Sequence, residues 1–150
     1  MSTEEIYNYR RVDDRVITGG HPNAQQLRDA AHERFDAVIN LAPVDHRSVD
    51  DEEALVQSLG MAYHYIPVDW QAPTIADFEA FERAMQPLET ERVLIHCAAN
   101  FRVTAFYSLY ALKHLRWTPA KAESFRASIW DGSEYPVWQA FIHSVEQTLA

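Results

Sequence analysis

Arg92-Val93-Leu94-Ile95-His96-Cys97-Ala98-Ala99-Asn100-Phe101-Arg102-Val103-Thr104 decides the reading of this chain. Its apolar opening has the length and β-branching of a buried strand. That strand delivers the only cysteine of 150 residues into a tight loop, with four residues between it and Arg102 and a helix expected from about Phe101 to Leu115. A thiol at a helix N-terminus beside an arginine ionises readily and becomes a nucleophile. The backbone amides of residues 98–102 can converge on an oxyanion, whose charge the helix dipole favours. Ala98 and Ala99 are small enough to let the backbone approach, and Asn100 is the residue expected to turn left-handed. Arg102 offers two parallel hydrogen bonds to phosphate oxygens, which a lysine cannot. The combination fits phosphoryl transfer to sulfur followed by hydrolysis of a cysteinyl-phosphate. A lone cysteine is more often a small buried hydrophobe. Here a polar histidine, a thiol and a guanidinium sit together at one strand end, which argues for chemistry.

Working outward, Arg15-Val16-Ile17-Thr18 reads as a short strand ended by Gly19-Gly20, and Asn23 caps a helix running to about Phe35. Ala37 to Leu41 is a continuous apolar strand. A helix over Asp50 to Leu59 stops at Gly60, and a third strand covers Tyr63 to Val68. Thr74 and Asp77 form a capping box for a helix whose Ile75, Phe78, Phe81, Met85 and Leu88 make one apolar stripe. Thr118-Pro119 starts another helix, and Ser133 the last, with Val137, Phe141, Ile142 and Val145 facing inward. Strands alternating with helices predict a single-domain α/β sandwich over residues 1–150, its mostly parallel sheet of about four to five strands flanked by helices. In such sheets ligands bind at the carboxyl ends of the strands. The loops 42–48, 69–73 and 97–102 all fall there.

The formal net charge of −9 disfavours nucleic acid or an anionic membrane as a general partner, so any anion site must be built locally. The acidic Met1 to Glu5 is not a signal peptide, no run has membrane-spanning length, and one cysteine allows no internal disulfide, so the expected compartment is the cytoplasm. The histidines show no metal-ligand spacing, and neither metal nor cofactor is expected.

A phosphatase needs a general acid for the leaving oxygen. Asp69, on the loop after a strand, is the first candidate. Asp45 and His46 on the neighbouring loop are second, and Asp131 third. Thr104 can hydrogen-bond the thiolate or simply its own backbone. Trp117, Trp130 and Trp138 read as packing, whereas Trp70, on a loop beside the nucleophile, can stack on an aromatic leaving group.

These residues resemble the protein-tyrosine and dual-specificity phosphatase superfamily. Arg15-Val16-Ile17-Thr18-Gly19-Gly20-His21-Pro22, Val38-Ile39-Asn40-Leu41, Ile66-Pro67-Val68-Asp69 and Leu94-Ile95-His96-Cys97 fall in the family's order. More narrowly, the chain is similar to a bacterial phosphatase-like branch, related to the domain of β-lactamase-hydrolase-like proteins, whose members also carry a C-x(4)-R loop. The resemblance implies a Cys97 nucleophile, an Arg102 phosphate ligand, an Asp69 acid and no metal, with Ala98, Ala99, Asn100, Phe101, Arg102, Val103 and Thr104 around the phosphate. Two departures stand out. The usual acid lies three residues after the proline ending the strand, and from Pro67 that slot is Trp70. The usual loop has five residues between Cys and Arg. Either this loop is one residue short, with Val103 in the Ser/Thr slot, or it keeps full length, with Asn100 in the Gly slot, Thr104 in the Ser/Thr slot and Arg102 one residue early.

The expected activity is hydrolysis of a phosphomonoester, phosphotyrosine or a small phosphate ester; the partners are that ester or a phosphoprotein. One alternative is a weak or inactive phosphate-binding module. The other is a rhodanese-like sulfurtransferase, whose loop also separates Cys from Arg by four residues. Oligomeric state has no signature in the sequence.

Overall fold

The computed structural model describes residues 2–45, 47–130 and 134–149. One five-stranded sheet carries the fold: β1 (Arg10–Arg11), β2 (Val16–Gly19), β3 (Ala37–Asn40), β4 (Ala62–Tyr65) and β5 (Val93–His96). The spatial order is β1-β2-β5-β3-β4, with β1 antiparallel and all other pairs parallel. The sandwich class and the mostly parallel sheet are therefore as expected. Strand β1, two exposed arginines, carries no apolar pattern and was not anticipated.

The three central strands β2, β5 and β3 are buried along their whole length, which is why they read as continuous apolar runs rather than alternating ones. Their side chains still alternate between two cores. Ile17, Val38 and Leu94 pack with Leu27, Ala30 and Val56 from α1 (Ala24–His32) and α2 (Glu52–Ser58). Val16, Ile39 and Ile95 point to the other face. There they meet Phe78 and Phe81 of α3 (Ile75–Met85), Phe106 of α4 (Phe101–His114) and Phe141 of α6 (Pro136–Thr148). Helix α5 (Pro119–Ala127) packs alongside α4. Each fully buried Val, Ile, Leu or Phe contributes roughly 1.5–3 kcal/mol of transfer free energy, so the double-sided core fixes the sheet that places the strand ends.

The expected caps of α1, α3 and α5 are present. Asn23 with Gln26 and Thr74 with Asp77 form complete capping boxes, and Thr118 Oγ accepts from the Lys121 amide. Two stripe residues differ from expectation. Ile75 is 44% and Val137 50% exposed, while Trp138 is buried. Ile75 is the first residue of its helix, and in the first turn of α6 the inward-facing position falls to Trp138, next to Val137. The third strand ends at Tyr65, earlier than Val68, although Ile66 and Val68 still donate to the Asn40 and Leu41 carbonyls. The expected start of α6 at Ser133 lies outside the described residues; α6 itself begins at Pro136.

Candidate active site

Cys97 stands one residue beyond β5, its amide donating to the Gly19 carbonyl at 3.2 Å. Three other segments tie the loop down. The His21 amide donates to the Ala98 carbonyl at 3.1 Å. Asn8 Nδ2 donates to the Ala99 carbonyl at 3.0 Å, and Asn100 Nδ2 donates to the Asn8 carbonyl at 2.8 Å and to Thr18 Oγ1 at 3.0 Å. A Cβ on Gly20 would meet the Ala98 carbonyl oxygen at 2.6 Å, so only glycine lets β2 leave the sheet this close to the loop.

Asn100 is left-handed, with φ 69° and ψ 6°, and α4 starts immediately after it. Asn100 makes the turn, Val103 faces inward with no exposed surface, and Thr104 lies buried in the first turn of α4. This is the pattern of the full-length alternative, in which Arg102 stands one residue early. The amides of Phe101, Arg102 and Val103 are the first three of the helix and have no acceptor within it. Val103 can serve an anion only through its backbone amide, and the Thr104 amide already donates to the Asn100 carbonyl at 3.1 Å. The Val103 side chain belongs to the core, and the Thr104 hydroxyl donates to the Phe101 carbonyl at 3.1 Å while accepting from Trp130 Nε1 at 3.0 Å. With its single proton committed there, Thr104 does not donate to the thiol.

Cys97, Ala98, Ala99, Phe101 and Arg102 line an open pocket of about 240 Å³, joined by Arg47, Trp70 and Tyr135. All three loops expected at the strand ends contribute to it. The Arg102 guanidinium lies over Trp70, 5.4 Å from the ring centroid, and its buried Nε has no hydrogen-bond partner among the described residues. Trp70 is itself held by stacking on Trp138 at 5.2 Å and by Trp138 Nε1 donating to its carbonyl at 2.8 Å. Phe101 stacks on Trp130 at 4.9 Å, nearly parallel.

The acid candidates are placed differently. Asp69 is exposed, outside the pocket lining, and its Oδ1 accepts from the Gln71 amide at 2.9 Å. Trp70 occupies the pocket in its stead. Asp45 bonds Arg47 through both oxygens, to Nη2 at 2.8 Å and to the amide at 2.7 Å. The bond from the Arg47 side chain holds the Asp45 carboxyl down at about 2. A carboxylate so firmly ionised carries no proton to give. His46 and Asp131 lie outside the described residues.

Beneath the loop is a buried pair that the sequence did not announce. His96 Nε2 lies 2.7 Å from Glu52 Oε2, with the imidazole fully buried and the carboxylate nearly so. Burial raises the Glu52 carboxyl, but the His96 bond and charge outweigh it and leave it below its ordinary value. His96 Nδ1 lies 3.4 Å from the Cys97 carbonyl. The His21 ring stands 5.9 Å from His96, and burial followed by the His96 charge lowers its pKa. Arg47, Tyr135, Asn8 and Glu52 were missed as site residues. Arg47 had a signal, since it lies on a loop already placed at the strand ends. The other three had none, because each reaches the site across more than 35 residues of sequence. Among the described residues no cluster of His, Cys, Asp and Glu can hold a metal ion, and no helix is long and apolar enough to cross a membrane.

This α/β sandwich, with a cysteine loop between β5 and α4, is a phosphatase fold of the protein-tyrosine and dual-specificity type. No family model matches the sequence. Among solved structures, the chain is similar to the "Putative phosphatase (DUF442)" of Shewanella putrefaciens CN-32. They are 36% identical with a TM-score of 0.89, covering 97% of this chain and 92% of that one. The chain belongs to that DUF442 phosphatase-like family. It is also 31% identical over 102 residues, 65% of its length, to the Beta-lactamase hydrolase-like protein of Xylella fastidiosa (strain Temecula1 / ATCC 700964), and spans 23% of that relative. Tk-PTP in its active form shares the fold, at 19% identity and a TM-score of 0.77, over 93% of this chain and 97% of that one.

Proposed function

We propose that the chain is a cysteine-dependent phosphatase that hydrolyses a phosphomonoester through a cysteinyl-phosphate. The observation that supports this most is that Cys97 and Arg102 line one pocket at the N-terminus of α4. In this reading the ester phosphate sits on the free amides of the loop, with Arg102 leaving Trp70 to fork onto its oxygens. The Cys97 sulfur attacks phosphorus, the P–O ester bond breaks, and the leaving oxygen departs with the bonding pair and takes up a proton. Water then attacks the cysteinyl-phosphate, releasing inorganic phosphate and restoring the thiolate.

Since no described carboxylate lines the pocket, the reading favours esters whose leaving oxygen is already a good anion, aryl phosphates above alkyl ones. The aromatic lining of Trp70, Phe101 and Tyr135 supports the same preference. The misplaced acid is also the specific observation behind a second reading, a module that binds a phosphate ester without turning it over. The sulfurtransferase alternative draws no support from the relatives above. Release of nitrophenolate from p-nitrophenyl phosphate, with a phosphorylated cysteine trapped by acid quench and located by mass spectrometry, tests the first reading. Saturable phosphate binding without a phosphoenzyme would leave the second. Thiocyanate formed from thiosulfate and cyanide, without phosphate release, would restore the third.

A further inference from the structure

We propose that Arg47 forms a second anion subsite in the Cys97 pocket, so that the preferred substrate is an aryl phosphate whose leaving group carries a further acidic group. This rests on the phosphatase reading above and adds the chemistry of the leaving group. Arg47 and Arg102 reach the same pocket from two different segments, the loop before α2 and the first turn of α4. Among the described residues only one carboxylate, Asp45, pairs with either of them. Among the described residues the pocket is thus lined by two cations and no carboxylate, with Asp45 set beside Arg47, in a chain whose overall charge is −9. Arg102, beside Cys97 and the loop amides, is placed for the phosphate itself.

Arg47 is not needed for that phosphate and is not used up by its neighbour. A guanidinium has five N–H donors, and the Asp45 carboxylate takes one of them. The Arg47 side chain is 56% exposed, so a substrate can reach it. Trp70, Phe101 and Tyr135 line the same pocket with flat apolar surface, which suits an aromatic ring presenting one anion to each arginine. If the Asp45–Arg47 pair were only a staple for its loop, the charge on a leaving group would make no difference.

The test compares two esters of one shape and different charge, 3-carboxyphenyl phosphate and 3-carbamoylphenyl phosphate. Binding of each is measured by calorimetry on the Cys97→Ser chain, and phosphate release on the unaltered chain. The carboxylate ester is expected to bind about fivefold tighter, the scale of a partly exposed ion pair. Arg47→Gln should bring that ratio to about one, and Asp45→Asn should widen it by removing the internal competitor. A ratio of one in the parent, or one that Arg47→Gln leaves unchanged, overturns the subsite. Phosphate release without charge preference refutes the subsite and keeps the phosphatase. Charge preference in binding without phosphate release keeps the subsite and refutes catalysis.

Discussion

The loop after β5 and the loop after β4 both lie at the carboxyl ends of the parallel strands and line one pocket, and they are built in opposite ways. The first, 97–100, is bonded to β2, to the segment around Asn8 and to Thr18, and its turn is held left-handed by an asparagine whose amide has two acceptors. The second, 69–73, spends its one carboxylate on its own Gln71 amide and reaches the pocket through Trp70. A nucleophile loop must hold its amides to an oxyanion without reorganising, so rigidity there is function. The neighbouring loop contributes a surface, and for that an aromatic ring packed on Trp138 suffices.

The sharpest way to break this contrast is Cys97→Ser. Turnover of p-nitrophenyl phosphate should fall to background while phosphate binding by calorimetry persists; residual activity would remove the covalent step. Next, Arg102→Ala should lower kcat/KM by roughly 10²–10³, the usual cost of one transition-state donor, and weaken phosphate binding too. An unchanged kcat/KM would mean that its position one residue early takes it out of the chemistry.

Stability reports on the rigid loop. Glu52→Gln should cost about 2–3 kcal/mol in urea unfolding, the range for a buried bond to a charged group. The sign with pH is definite. The folded Glu52 carboxyl lies below its ordinary value of 4.5, so around that pH the unfolded chain binds more protons. Its stabilisation is full above 4.5 and disappears as pH falls through the lower folded value, so the gap between parent and variant should close on acidification. A gap independent of pH would show that packing, not charge, holds the pair. Asn100→Ala loses two hydrogen bonds and leaves the left-handed turn without the short polar side chain that tolerates it, for about 2 kcal/mol in the same assay. Asn100→Gly keeps the turn and should recover part of that; a glycine no better than alanine would assign the whole cost to the bonds.

The smallest expected effect is at the second loop. Asp69→Asn should change kcat by less than about twofold, because the carboxylate caps a turn outside the pocket. A fall of about 10²–10³, the range of a general acid, on a poor leaving group would show that this loop moves to bring Asp69 in.

The strands and helices were legible because burial is written locally. β2, β3 and β5 appear as apolar runs, the helices as stripes with caps, and the loop at Cys97 as the place where the apolar pattern breaks into chemistry. The left-handed Asn100 was legible for the same reason, since only glycine and short polar side chains take that turn easily. The stripe misfired at Ile75, the first residue of its helix, and at Val137, one residue off the buried stripe of Trp138, Phe141, Ile142 and Val145.

By itself, then, the sequence determined the α/β sandwich, the strand ends and the cysteine at one of them, because these follow from short apolar runs and 3.6-residue stripes that any short window carries. The tertiary structure decided which side chains share the pocket. Arg47 and Tyr135 enter it, Asp69 turns away, Trp70 lies under Arg102, and Glu52 meets His96 across 44 residues of chain. Side-chain direction at a loop is set by contacts from distant segments, such as Trp138 on the Trp70 carbonyl and Asn8 on the Ala99 carbonyl. No local window of sequence contains both partners.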